Sequence, residues 1–142
     1  MDVPLLRLPS STREPTYATP GSVGFDLSTA EPADIEPGAI ALVGTGLVVA
    51  TPPGWCLLVS LRSSTPRKFG VLQPHAIGVI DEDYCGPEDE LRLQLLNFTA
   101  AAVHIPADSR IAQGVFVRTE RAEWSAHDPA RDSRGGFGST GH

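Results

Sequence analysis

A chain of 142 residues suits one compact domain, since domains commonly run to about 100–150 residues, and a composition that is 41% hydrophobic but only 6% aromatic calls for a core of Val, Leu, Ile and Ala. The net charge of −6 argues against a general nucleic-acid binder, which needs a basic patch to displace phosphate counterions. Cys56 and Cys85 supply neither a disulfide framework nor zinc-ligand spacing, and the opening stretch MDVPLLRLPSSTREP lacks the apolar run of a signal peptide or membrane span, so the expectation is a soluble, cytoplasmic protein with no membrane or nucleic-acid partner.

In chain order, short apolar runs recur at Ile40 to Val43, Leu47 to Ala50, Trp55 to Leu61, Gly78 to Ile80, Leu91 to Leu96 and Ile111 to Arg118. They are rich in β-branched residues and separated by turn signals such as Pro37-Gly38 and Pro53-Gly54, which predicts strands rather than helices. Together with 14 Gly and 13 Pro, this spacing reads as an all-β sandwich or barrel. One short helix is predicted around Thr65 to Phe69. From Ala122 onward the chain loses apolar periodicity and reads, taken alone, as a tail.

Three stretches could carry chemistry. In GVIDEDYCG, Gly78 to Gly86, a strand-like run breaks into three consecutive acids, and a turn explains Asp83 and Gly86 more readily than Asp81, which directly follows Val79 and Ile80. In LRSST, Leu61 to Thr65, an arginine with neighbouring hydroxyls offers a charged fork and several donors for a phosphate, although a hydroxyl-rich helix cap has the same residues. The arginine fork suits such a role, and Lys68 is the chain's sole lysine among 11 basic residues. In RGGFGST, Arg134 to Thr140, glycines permit close approach of backbone amides to an anion, Ser139 and Thr140 add donors, and Phe137 could stack on a flat base. The last stretch is not a P-loop, because the Gly-Lys-Ser/Thr ending is missing.

Taken in order, GFDLSTA (Gly24 to Ala30), LRSST, GVIDEDYCG, RIAQGVF (Arg110 to Phe116) and RGGFGSTG (Arg134 to Gly141) resemble the five motifs of the trimeric dUTPase family. The resemblance covers nearly the whole chain. It implies a jelly-roll-like β-clip or β-barrel domain over residues 1–121, a C-terminal arm over 122–142 that closes over a neighbour's site, and a homotrimer. The implied reaction is hydrolysis of dUTP to dUMP and pyrophosphate, which limits uracil in DNA and supplies dUMP for dTMP synthesis.

By the same resemblance Asp81 is the general base that activates water for in-line attack on the α-phosphorus, with Mg2+ held mainly by the substrate phosphates and Asp26 near the metal shell, indirectly, or structural. Tyr84 packs on the deoxyribose and rejects a ribose. Arg62, Ser63 and Ser64 grip the triphosphate, Ser63 at the oxygen bridging the α and β phosphorus, and Gln113 adds a phosphate contact. Uracil is read by the backbone of a hairpin that includes Gly78, Val79 and Ile80, with His75 at its edge. Phe137 stacks above the base, flanked by Gly136, Gly138, Ser139 and Thr140, and Arg134, rather than Arg131, takes the γ-phosphate.

Three departures stand out. Leu61 replaces the family's usual Pro or Gly before the arginine, Arg134 lies closer to the double glycine than usual, and Pro87-Glu88-Asp89-Glu90 lengthens the loop after Tyr84, reading as a solvated acidic turn rather than a second metal site. A dCTP deaminase shares the fold and the Arg-Ser-Ser grip but needs a glutamate where this chain has Gln94, which cannot shuttle protons. A catalytically silent, nucleotide-binding trimer is the other alternative, and nothing in the sequence looks disabled.

Overall fold

The structure, a computed structural model, describes residues 1–128 and 130. In chain order its elements are β1 (Leu5–Arg7), β2 (Thr16–Tyr17), β3 (Phe25–Ser28), β4 (Ala33–Ile35), β5 (Ile40–Gly44), β6 (Leu47–Val49), β7 (Trp55–Leu61), α1 (Thr65–Phe69), β8 (Val71–Leu72), β9 (Gly78–Ile80), β10 (Arg92–Asn97), β11 (Val103–Ile105) and β12 (Arg110–Arg118). The fold is all-β and jelly-roll-like, as expected, and all six apolar runs are strands. The helix occupies Thr65–Phe69 as predicted, with Pro66 in its first turn and Gly70 closing it at φ 67°.

A five-stranded sheet has the order β2-β3-β12-β7-β9, and a three-stranded sheet the order β5-β10-β8; the pairs β1-β6 and β11-β4 complete the walls. The ladders among the described residues are antiparallel, so each strand can bury alternate side chains. In β10 this is explicit: Leu93, Leu95 and Asn97 point inward while Arg92 and Gln94 are exposed. Leu27 of β3, Leu57 and Val59 of β7 and Ile111 of β12 meet Val43, Leu93 and Leu95 in a single aliphatic core. β12 carries the centre of the large sheet, with an irregularity between Arg110 and Ala112 where it leaves strict register with β3.

Asn97 is fully buried and fully satisfied. Its amide donates to the Ile35 and Ala101 carbonyls, each at 2.8 Å, and its Oδ1 accepts from the Thr99 N–H and hydroxyl, also at 2.8 Å. It pins the β10–β11 turn to β4. Asn97→Leu would leave those carbonyls unpaired, so a loss of about 2–4 kcal/mol in unfolding free energy is expected from urea titration.

A second tie fastens the N-terminal segment. Arg13 Nε lies 2.7 Å from Asp108 Oδ1, and its Nη2 donates to Oδ2, which holds the Asp108 carboxyl below the usual carboxylate range. Beyond Arg118 no strand continues through residue 128, and Trp124 is 95% exposed.

Candidate active site

Motifs far apart in sequence converge because β12 lies between β3 and β7. Gln113 of β12 stands in register with Asp26 of β3 on one side and Ser60 of β7 on the other. Asp26, only 9% exposed, is clamped by two arginines: Arg62 Nε is 3.1 Å from its Oδ1, and Arg110 Nη1 is 3.1 Å from its Oδ2. A buried carboxylate needs such partners, since a lone charge there is poorly solvated. The pairing uses part of each guanidinium, and an arginine carries five N–H donors, so donors remain for an anion.

The backbone reinforces this cluster. The Arg62 N–H bonds the Ile111 carbonyl at 2.9 Å, and the buried Thr65 hydroxyl donates to the same carbonyl at 2.6 Å. Ser63 and Ser64 are exposed. Ser64 occupies the N-cap position of α1, yet its side chain makes no cap hydrogen bond, so the hydroxyl is not spent on the helix as the capping alternative requires.

At the opposite end of β7 lies the acid-rich turn. β9 pairs with β7 as Leu57↔Ile80, Leu58↔Val79 and Val59↔Gly78, which sets the next residue, Asp81, level with Cys56. Asp81 and Asp83 are exposed. Glu82 is engaged structurally: it accepts the Gly54 N–H at 3.0 Å and pairs with Arg121 at 3.0 Å. The Tyr84 N–H returns to the Asp81 carbonyl at 3.3 Å, closing the turn, and the Tyr84 ring is 39% exposed.

Beside this turn is a cavity of about 240 Å³ lined by Gln73, His75, Gly78, Val79, Ile80 and Gln94, among others. The hairpin residues and His75 therefore share one concavity. Gln94 brings an amide to that wall at the position where a deaminase needs a carboxylate. Gln73 was not singled out from sequence; its Nε2 lies 3.3 Å from the Val59 carbonyl and 3.1 Å from His75 Nε2, while its Oε1 is buried without a partner. A residue inside an apolar–polar hairpin gives no periodic signal for such a contact. Arg110 was likewise missed as a member of the arginine pair, because only the fold brings it to Asp26.

One chain brings Asp26, Arg62 and Gln113 together, joins Tyr84 to Asp81 through the backbone and sets His75 in a cavity with Gly78, Val79 and Ile80, but it does not bring Asp81 to Arg62. Arg62 and Cys56 are at opposite ends of β7, six residues apart, or about 20 Å at strand rise. The sites at Arg134, Gly136, Phe137, Gly138, Ser139 and Thr140, and the alternative Arg131, lie outside the described residues. Among the described residues no group of three or more His, Cys, Asp or Glu side chains could hold a metal ion. No helix among them is long and apolar enough to cross a membrane.

The fold, then, is that of the jelly-roll-like all-β class, with its polar machinery divided between the two ends of one long strand. A family model for dUTPase matches residues 11–141. The deoxyuridine 5'-triphosphate nucleotidohydrolase of Wolinella succinogenes is 38% identical over 99% of this chain and 95% of its own, and that of Lactococcus lactis subsp. lactis is 38% identical over 89% and 87%. The dUTPase of Streptococcus mutans superposes with a TM-score of 0.78 at 34% identity, covering 84% of this chain and 98% of that one. The bacteriophage 80alpha dUTPase shares the fold at a TM-score of 0.86 and 22% identity. The chain belongs to the dUTPase family.

Proposed function

We propose that this protein hydrolyses dUTP to dUMP and pyrophosphate, with Asp81 activating the attacking water and with each site assembled between copies of the chain in a homotrimer. The observation that carries the reading is the separation just described. Asp81 must reach the α-phosphorus while Ser63, beside Arg62, holds the adjacent bridging oxygen, and about 20 Å of strand is far more than that chemistry spans. Two copies, each presenting the opposite end of β7, remove the conflict.

In this reading the exposed Asp81 carboxylate accepts a proton from water and aligns it for in-line attack. Arg62, Ser63, Ser64 and Gln113 of a second copy hold the triphosphate, and the arginine donors left over from the Asp26 pair stabilise the charge that moves onto the departing pyrophosphate. Gly78, Val79 and Ile80 present backbone groups to uracil, with His75 at the edge. Cytosine leaves those groups unpaired, at about 1–3 kcal/mol for each. Tyr84 closes the sugar side against a 2′-hydroxyl.

Mg2+, when bound, would be held mainly by the substrate phosphates, with Asp26 near it through water, and would supply charge neutralisation there. The residues fit that arrangement: among the described residues no group of three or more His, Cys, Asp or Glu side chains stands ready to hold the ion directly, and Asp26, occupied at both oxygens by arginine, is left with a link through water. The body of residues 1–121 carries this machinery. The arm of residues 122–142 supplies Phe137 over the base and Arg134 at the γ-phosphate.

Pyrophosphate release from dUTP, dCTP, dTTP and UTP, each with Mg2+, tests the reaction: release confined to dUTP is expected, and ammonia from dCTP would move the protein to the deaminases. Mixing two inactive variants tests the shared site. Asp81→Asn and Arg62→Ala chains, unfolded together and refolded, are expected to regain a sizeable fraction of activity, because some interfaces then pair an intact Asp81 with an intact Arg62. No recovery in verified mixed oligomers would place both residues in the same subunit's site.

A further inference from the structure

The loop that lengthens the chain after Tyr84 is not simply a solvated acidic turn. Glu88 is exposed, but Asp89 Oδ2 accepts the Gly86 N–H at 2.7 Å, and the Asp89 and Glu90 N–H groups bond the Gly86 and Glu88 carbonyls at 3.0 and 2.9 Å. The Glu90 side chain is 11% exposed and lies against the turn between β5 and β6. Its Oε1 accepts the Gly46 N–H at 2.7 Å, and its Oε2 pairs with Arg92 Nε at 2.9 Å. The fit is close, since a Cβ on Gly44 would come within 2.4 Å of Glu90 Oε1.

The next residue is held by the same turn. The Leu91 N–H bonds the Leu47 carbonyl at 2.8 Å, and the Thr45 N–H and hydroxyl bond the Leu91 carbonyl at 3.1 and 2.8 Å. Between these anchors sits the Glu90 carbonyl, which accepts the Tyr84 hydroxyl at 3.1 Å. A half-exposed tyrosine on a surface turn is otherwise free to change rotamer, and a ring that swings cannot exclude a single oxygen atom.

We infer that Glu90 is a positioning residue for Tyr84: by locking the carbonyl that receives the phenol, it sets the discrimination between deoxyribose and ribose triphosphates. The inference rests on the proposed dUTP hydrolysis and on Tyr84 as the sugar wall. Charge-assisted bonds from Gly46 and Arg92 make Glu90 a firmer anchor than a neutral side chain, and no contact with substrate is needed.

The test compares kcat and KM for dUTP and UTP, with Mg2+, in the full-length native protein, Glu90→Ala, Glu90→Gln, Tyr84→Phe and the double variant Glu90→Ala/Tyr84→Phe. Glu90→Ala is expected to lower the dUTP-over-UTP preference about tenfold, the scale of one hydrogen bond, through a raised KM for dUTP and improved use of UTP while kcat for dUTP stays near native. Glu90→Gln keeps an acceptor for Gly46 and should restore most of the preference. Tyr84→Phe keeps the ring and frees it, so it should reproduce the loss, and the double variant should add little to either single change. A native preference in Glu90→Ala, or fully additive losses, would overturn the inference. If Glu90→Ala does not fold, Tyr84→Phe decides: native selectivity there overturns the anchoring. A native protein that hydrolyses neither nucleotide sinks the proposed function itself, and this inference with it.

Discussion

Asp81→Asn is expected to bind dUTP as the native protein does while turning it over about 10²–10⁴-fold more slowly, the usual contribution of a positioned general base. The substitution changes one exposed atom on the turn after β9, where the Asp81 carboxylate has no hydrogen-bond or ion-pair partner among the described residues and the backbone bond from Tyr84 is kept, so the fold has no reason to respond. Chemistry does, because an amide cannot take the proton from water. Calorimetric titration with dUTP and a single-turnover rate separate the two effects. A near-native rate would remove Asp81 from the mechanism and turn attention to Asp83, the other exposed acid of the turn.

Removal of Arg134 to His142 is expected to leave the β domain folded and to slow dUTP hydrolysis by about 10²–10³-fold, a size typical of losing preorganised donors around a reacting anion. The core cluster and every ladder described lie upstream of this segment and are kept in the truncated chain. What is lost is Arg134, the glycine-flanked Phe137 and the hydroxyls of Ser139 and Thr140, the groups proposed to cover base and phosphates. Circular dichroism should be unchanged while KM rises and kcat falls. Full activity in the truncated protein would show these residues to be spectators.

How much of the site was legible depended on whether a residue's role is local. Asp81 stood out because an acid directly after two β-branched residues breaks a strand's burial pattern, and the structure does end β9 at Ile80. The pair Ser63 and Ser64 was ambiguous between cap and grip, and only the absent cap bond at Ser64 weighs against the first. Asp26 read as a residue near a metal or as a structural one; its clamp joins it to Arg62 and to Arg110, the latter 84 residues away in the chain, which no window of sequence contains. Glu90 was read as part of a solvated turn because three acids in a row after Pro87 carry no sign of the turn between β5 and β6 against which Glu90 lies.

For the fold, the sequence by itself determined that the chain is all-β, where six of its apolar strands run and where its short helix sits, since alternation, β-branching and Pro/Gly turns act within a few residues. It left out β1, β2, β3, β4, β8 and β11, which have two to four residues each; β3 is buried at every position and shows no alternation. Tertiary structure alone decided the register across β3, β12, β7 and β9, and with it that Arg62 and Asp81 stand by opposite ends of β7. The reason is physical: side-chain patterning specifies which face of a strand is buried, whereas its neighbours are chosen by long-range packing, and the position of every site residue follows from that choice.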